Sequence, residues 1–157
     1  VKSRGLAMAD ERLIVCERSN CWAVALRWAL TGLGLRVFET RTWADCLQEI
    51  DATKLTLLAL EMRKDNVAEV YRWLIALRQS FPNAGAVVLT DRELSEHEWT
   101  LREFGALHVT ISQRNLTPVA KLVQRFFSRA TDSRQTPYEL CGSHLPWPEA
   151  NEQREAE

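Results

Sequence analysis

Five short apolar runs, separated by segments with helical periodicity, constrain the fold more than any other feature of this chain. They are RLIVC (12–16), LRVFET (35–40), LTLLAL (55–60), AVVLT (86–90) and ALHVTIS (106–112). The first, third and fourth are nearly continuous in Leu, Ile and Val rather than alternating with polar residues. Continuous apolar strands are what a sheet covered on both faces requires, and parallel sheets are the ones so covered.

Helical signals fill the gaps. Ser19 and Asn20 supply an N-cap for a first helix that closes near Gly34. Thr42 with Asp45 three residues on forms a capping-box-like start for a second helix reaching Ala52. A third covers 66–80 and stops before Pro82, because proline disfavours helix in the residue preceding it. A fourth covers 95–104 and ends at Gly105, and a fifth runs from Leu116-Thr117-Pro118 to Ala130. Strand and helix alternating five times predict an α/β fold, a doubly wound five-stranded parallel sheet of the flavodoxin-like type. Right-handed crossovers then place the functional face at the carboxyl ends of the strands.

The length of 157 residues fits one domain. Residues 1–10 read as a flexible N-terminus in which Met8 is an alternative start, and 11–130 as the folded unit. Residues 131–157, rich in Pro, Ser, Glu and Gln, read as a disordered acidic tail. The tail carries a charge of −4 against +3 for the rest, so the net −1 hides an asymmetry. Neither value is the concentrated basic stripe of a polyanion binder, so nucleic acid is an unlikely partner. No apolar run approaches the roughly 20 residues that cross a bilayer, which points to a cytoplasmic protein away from membranes. Cys16, Cys21, Cys46 and Cys141 show no CxxC spacing and read as reduced thiols, with neither a disulfide framework nor a zinc site.

The order and spacing of elements over 11–130 resemble the receiver domain of bacterial two-component response regulators. Local strings agree: Gly32-Leu33-Gly34 before the second strand, Phe81-Pro82-Asn83 before the fourth, and Gly105-Ala106 opening the fifth. The resemblance implies a (βα)5 fold and a pocket of set composition. Two acids end strand one and help hold Mg²⁺, an aspartate ends strand three and accepts phosphate, a Ser or Thr ends strand four, and a lysine ends strand five. Here those positions read as Cys16 and Glu17, Ala59, Thr90 and Ser112. One acid, the nucleophile and the lysine are missing, and the aromatic switch position on strand five is Val109. The resemblance therefore implies a degenerate pseudo-receiver: no cofactor, no metal, no catalytic residue, and signalling by contact with a protein partner or a second copy.

Glu61 reads as a solvated loop carboxylate, with Arg63 and Lys64 adding positive charge beside it. The alternative function is a small enzyme or anion-binding domain using the strand-end cleft, but only Glu17 and scattered loop charges converge there. Cys16 has no histidine predicted near it and makes a poor nucleophile. Periodicity puts Trp22, Ala25, Leu26, Ala29 and Leu33 in the core and Val24 and Trp28 outward on helix one. It turns Trp73 outward on helix three and Trp99 inward on helix four. The candidate interface is thus Trp28, Trp73, Val109, Lys121 and Arg125, the last two sharing one side of helix five with Arg129. In the tail, Leu145-Pro146-Trp147-Pro148 is a proline-flanked aromatic, and Cys141 with His144 is too sparse for a metal site.

Overall fold

The computed structural model describes residues 11–133, with side chains through Ser128. Strands β1 (Arg12–Cys16), β2 (Arg36–Thr40), β3 (Thr56–Glu61), β4 (Ala84–Leu89) and β5 (Ala106–Thr110) alternate with helices α1 (Trp22–Ala29), α2 (Trp43–Glu49), α3 (Val67–Ser80), α4 (Glu98–Glu103) and α5 (Thr117–Ser133). The sheet is wholly parallel in the order β2-β1-β3-β4-β5, the predicted doubly wound arrangement. The direction of winding reverses between β1 and β3, so the crevice expected to hold a site lies at their carboxyl ends.

Strand alternation sorts the core into two layers. Leu13, Val15, Leu57, Ala59, Val87 and Leu89 pack under α1 and α5 with Trp22, Leu26, Val119, Val123 and Phe127. Ile14, Cys16, Leu58, Leu60, Ala86 and Val88 pack on the opposite face with Cys46, Val70, Leu74, Leu77 and Leu101. Polar capping fixes the helix starts. Thr42 Oγ1 accepts the Asp45 N–H at 3.1 Å, as the sequence predicts for α2.

Several local expectations are overturned. The fourth helix is only Glu98–Glu103; the chain before it, Arg92–His97, is a tighter 3₁₀ turn started by Asp91 accepting from Glu93 and Leu94 N–H. Trp99 is 74% exposed rather than packed inward, its Nε1 donating to Glu103 Oε1 at 3.1 Å. The short helix buries only Leu101, leaving no second inward position for the indole. Helix α1 ends at Ala29, which is exposed, and Leu30 takes the core position predicted for it. The readings made on residues 1–10 and on Cys141, His144 and Trp147 lie outside the described residues, as does the side chain of Arg129.

Candidate functional site

Strand β3 does not stop at Ala59. That residue sits mid-strand between Val15 of β1 and Val87 of β4 and is buried under α1 and α5, so the sequence-based placement of the strand end at Ala59 is wrong. Leu58, Leu60 and Met62 continue one apolar face, which carries the strand on to Glu61, paired with Leu89. This alternation was the signal available in the sequence. The strand end at the crevice therefore carries a glutamate, and that glutamate is not a solvated loop residue, being only 7% exposed.

Glu61 turns back onto the loop after β1. Its Oε2 accepts the N–H of Arg18 at 2.6 Å and of Ser19 at 3.3 Å. Glu17, next to the end of β1, is 1% exposed and caps α1 from outside the helix. Its Oε2 accepts the Trp22 N–H at 2.7 Å and its Oε1 the Ala23 N–H at 2.9 Å, with the Ser19 hydroxyl donating at 3.3 Å. The two carboxylates thus hold the β1–α1 turn from both sides. The predicted caps Ser19 and Asn20 give way because Asn20 takes a positive φ of 60° and the N-cap position falls on Cys21, whose side chain makes no cap. Asn66, which the sequence marks only as a helix start, braces the next loop: its Nδ2 donates to the Glu61 carbonyl at 3.0 Å and its Oδ1 accepts the Arg63 N–H at 2.7 Å.

Thr90 lies where predicted, just past β4 and buried, its hydroxyl donating to the Met62 carbonyl at 3.1 Å. Ser112 lies two residues past the end of β5, its Oγ accepting the Arg114 N–H at 3.2 Å; the residue of this segment that lines the crevice is Gln113. The crevice has a volume of about 680 Å³, and Ser19, Trp22, Glu61, Lys64, Asp65 and Thr90 are among its walls. Its basic side chains face acids. Lys64 pairs with Glu93, whose hydrogen bond and negative charge hold its ammonium above the usual pKa, and Arg63 lies 3.9 Å from Asp65, which Arg18 also meets at 3.1 Å.

The divalent cation implied by the receiver resemblance needs several oxygen donors converging on one point. Both oxygens of Glu17 and Oε2 of Glu61 instead face N–H donors. Among the described residues no group of three His, Cys, Asp or Glu side chains is placed to share a cation. The residues present do not fit that metal.

Of the surface candidates, Trp28 is 79% exposed and Lys121 and Arg125 are exposed on α5. Trp73 is not outward: its indole stacks on Trp43 with centroids 5.3 Å apart and planes within 8°, because α2 and α3 are neighbours on that face. Val109 is buried in the core and presents nothing to a partner. Large apolar side chains exposed near β5 include Trp99, Phe104, Leu107 and Ile111. Among the described residues no helix is long and apolar enough to cross a membrane.

No family model and no curated protein matches the sequence. Solved structures do match in fold. A CheY-like protein (tadZ) from Pseudomonas aeruginosa PAO1 superposes with a TM-score of 0.63 at 15% identity, over 74% of this chain and 98% of that one. A signal receiver domain from Vibrio parahaemolyticus gives 0.61 at 21% identity, over 80% and 97%. A response regulator from Thermotoga maritima gives 0.59 at 17% identity, over 75% and 97%. With its strand order, its two-layer core and these neighbours, the chain has the fold of the CheY-like receiver domains.

Proposed function

We propose that this chain is a receiver-like signalling module that works by contact with a protein partner or a second copy, without phosphorylation at the strand-end pocket. The observation that carries this reading is the engagement of Glu17 and Glu61 by the backbone of the β1–α1 turn. A phosphoacceptor needs an oxygen open to attack and a cation beside it; here the strand-end carboxylate is one methylene longer than aspartate and already ties down a loop. No lysine stands at the end of β5 to neutralise a phosphoryl group. A ligand can shift a conformational equilibrium only through differential affinity for the two states, so a pocket that cannot take phosphate leaves the surface in one preset arrangement. The exposed Trp28 on α1, with Trp99 and Arg125 around β5 and α5, supplies the tryptophan and arginine groups over-represented at binding hot spots, and Leu107 and Lys121 lie exposed beside β5 and on α5. The alternative, an anion-binding or catalytic cleft, is disfavoured by the pairing of Lys64, Arg63 and Arg18 with carboxylates.

The test is to incubate the full chain with acetyl phosphate and Mg²⁺ and record its intact mass. The expected spectrum is unchanged. A gain of one phosphoryl group that vanishes in Glu61→Gln sinks the reading. In parallel, pull-downs with Trp28→Ala and with Lys121→Glu/Arg125→Glu should lose partners or self-association that the parent chain retains.

A further inference from the structure

The mouth of the sheet holds a second chemical constellation, on the face opposite Glu17 and Glu61. Cys16 is the last residue of β1 and Cys46 sits in the middle of α2; their exposures are 4% and 0%. The fold brings them together although 29 residues lie between them in sequence. Thr40 ends β2 directly opposite Cys16, and its Oγ1 lies 2.8 Å from Cys46 Sγ. Cys16 and Cys46 belong to one buried cluster with Thr40 set against both, and both are free thiols in the structure. Core thiols are usually inert packing groups, isolated from one another and from solvent. This pair differs in that the two thiols share one neighbour, Thr40, and one of them borders a cavity. Cys16 lines a cavity of about 210 Å³ that also touches Glu17, Arg18, Arg41, Trp43 and Trp73, while Cys46 stands behind it as a partner. A thiol bordering a cavity with a second thiol beside it is the arrangement of a site oxidised to a disulfide rather than to higher acids.

We propose that Cys16 and Cys46 form an oxidation site that closes to an intramolecular disulfide in the presence of a hydroperoxide. Cys16 sulfur attacks the distal peroxide oxygen, the O–O bond breaks, and the departing oxygen leaves as water with the thiol proton, giving a sulfenic acid. Cys46 sulfur then attacks Cys16 sulfur, the S–O bond breaks, and the hydroxyl departs with the Cys46 proton as a second water. Two thiols are oxidised and one peroxide is reduced, with hydrogen peroxide as the co-reactant. The bond ties the start of the β1–α1 turn to α2. It is independent of the phosphorylation reading, since neither sulfur takes part in that pocket's hydrogen bonds.

The experiment uses the full reduced chain, treated with hydrogen peroxide, alkylated with iodoacetamide and digested with trypsin without reductant. The expected product is a cross-link between peptide 13–18, which carries Cys16, and peptide 42–54, which carries Cys46, with the loss of two hydrogens and full reversal by dithiothreitol. In Cys46→Ser the same treatment should leave Cys16 as a sulfenic acid trapped by dimedone. Should that variant fold poorly, the peptide map of the unsubstituted chain still decides the matter. Recovery of Cys16 and Cys46 as alkylated thiols while Cys21 on peptide 19–27 is oxidised overturns the proposal, as does a cross-link that joins Cys21 or Cys141 instead.

Discussion

Replacing Glu17 by glutamine removes one negative charge from the mouth of the sheet and changes almost nothing in volume. The first turn of an α-helix leaves N–H groups without intrahelical partners, and α1 has no side-chain cap of its own. Glu17 supplies that cap, accepting at 2.7 Å from Trp22 and 2.9 Å from Ala23 while 1% exposed. Hydrogen bonds to a charged acceptor contribute about 1.5–3 kcal/mol each. Glutamine keeps one as a neutral bond and turns its NH₂ toward the other donor, stranding a buried N–H at a cost of about 1–3 kcal/mol. The lost interaction with the positive end of the helix adds about 0.3–1 kcal/mol. The expected destabilisation is therefore about 3 kcal/mol, a large share of the roughly 5–15 kcal/mol that holds a domain together. Urea unfolding followed by tryptophan fluorescence measures it, with Trp22 on α1 buried and well placed to report. The midpoint should fall with the slope unchanged, since the exposed surface is the same. Ser19→Ala, which removes only the 3.3 Å bond, should shift stability by about 1 kcal/mol or less. A Glu17→Gln variant as stable as the parent would falsify the capping role and, with it, the argument that this carboxylate is committed to the fold.

Three further outcomes are expected. Trp28→Ala should leave stability within about 0.5 kcal/mol, because the indole is almost wholly in solvent, whereas Trp73→Ala should lose about 2–4 kcal/mol with its stack on Trp43; equal effects in denaturant titrations would contradict the packing described. Gly85→Ala should destabilise by about 1–3 kcal/mol, since a Cβ there would stand 2.6 Å from Leu107 Cδ1 and 2.8 Å from Phe126 Cε2, and a neutral result would show that the β5–α5 contact yields easily. Burial, reinforced by Arg102, holds the His108 imidazole below its ordinary pKa of 6.5. The unfolded chain then takes up a proton first, so stability should fall as pH drops below 6.5 and until the lower native value is passed, and His108→Asn should flatten that slope in melting curves recorded across the window.

Much of this protein was settled by the order of its residues. Continuous apolar runs cannot face water on either side, so LTLLAL and AVVLT had to be interior strands of a sheet layered by helices. Thr42 and Pro118 mark their helix starts by local chemistry alone, which is why those boundaries were legible, whereas Gly34, expected to close α1, caps the 3₁₀ turn Thr31–Leu33 that follows it. The exposure of Trp28 followed from helical periodicity, because α1 is long enough to have two distinct faces. The site was less legible. A glutamate after an apolar run looks like the start of a loop, and only the packed fold shows that Arg18 and Ser19 N–H groups, 43 and 42 residues away in sequence, satisfy it and let β3 continue. Trp73 and Trp99 were misplaced for the same kind of reason. The partner of Trp73 lies on α2, and the helix carrying Trp99 is too short for periodicity to orient it. The approach of Cys16 and Cys46 to the same Thr40 has no trace in their spacing, because the pairing of β1 with β2 and the seating of α2 make it. Patterns of hydrophobicity determine which segments are buried, but which polar groups meet at the strand ends depends on the register of the sheet and the seating of its helices, which exist only once the chain has folded.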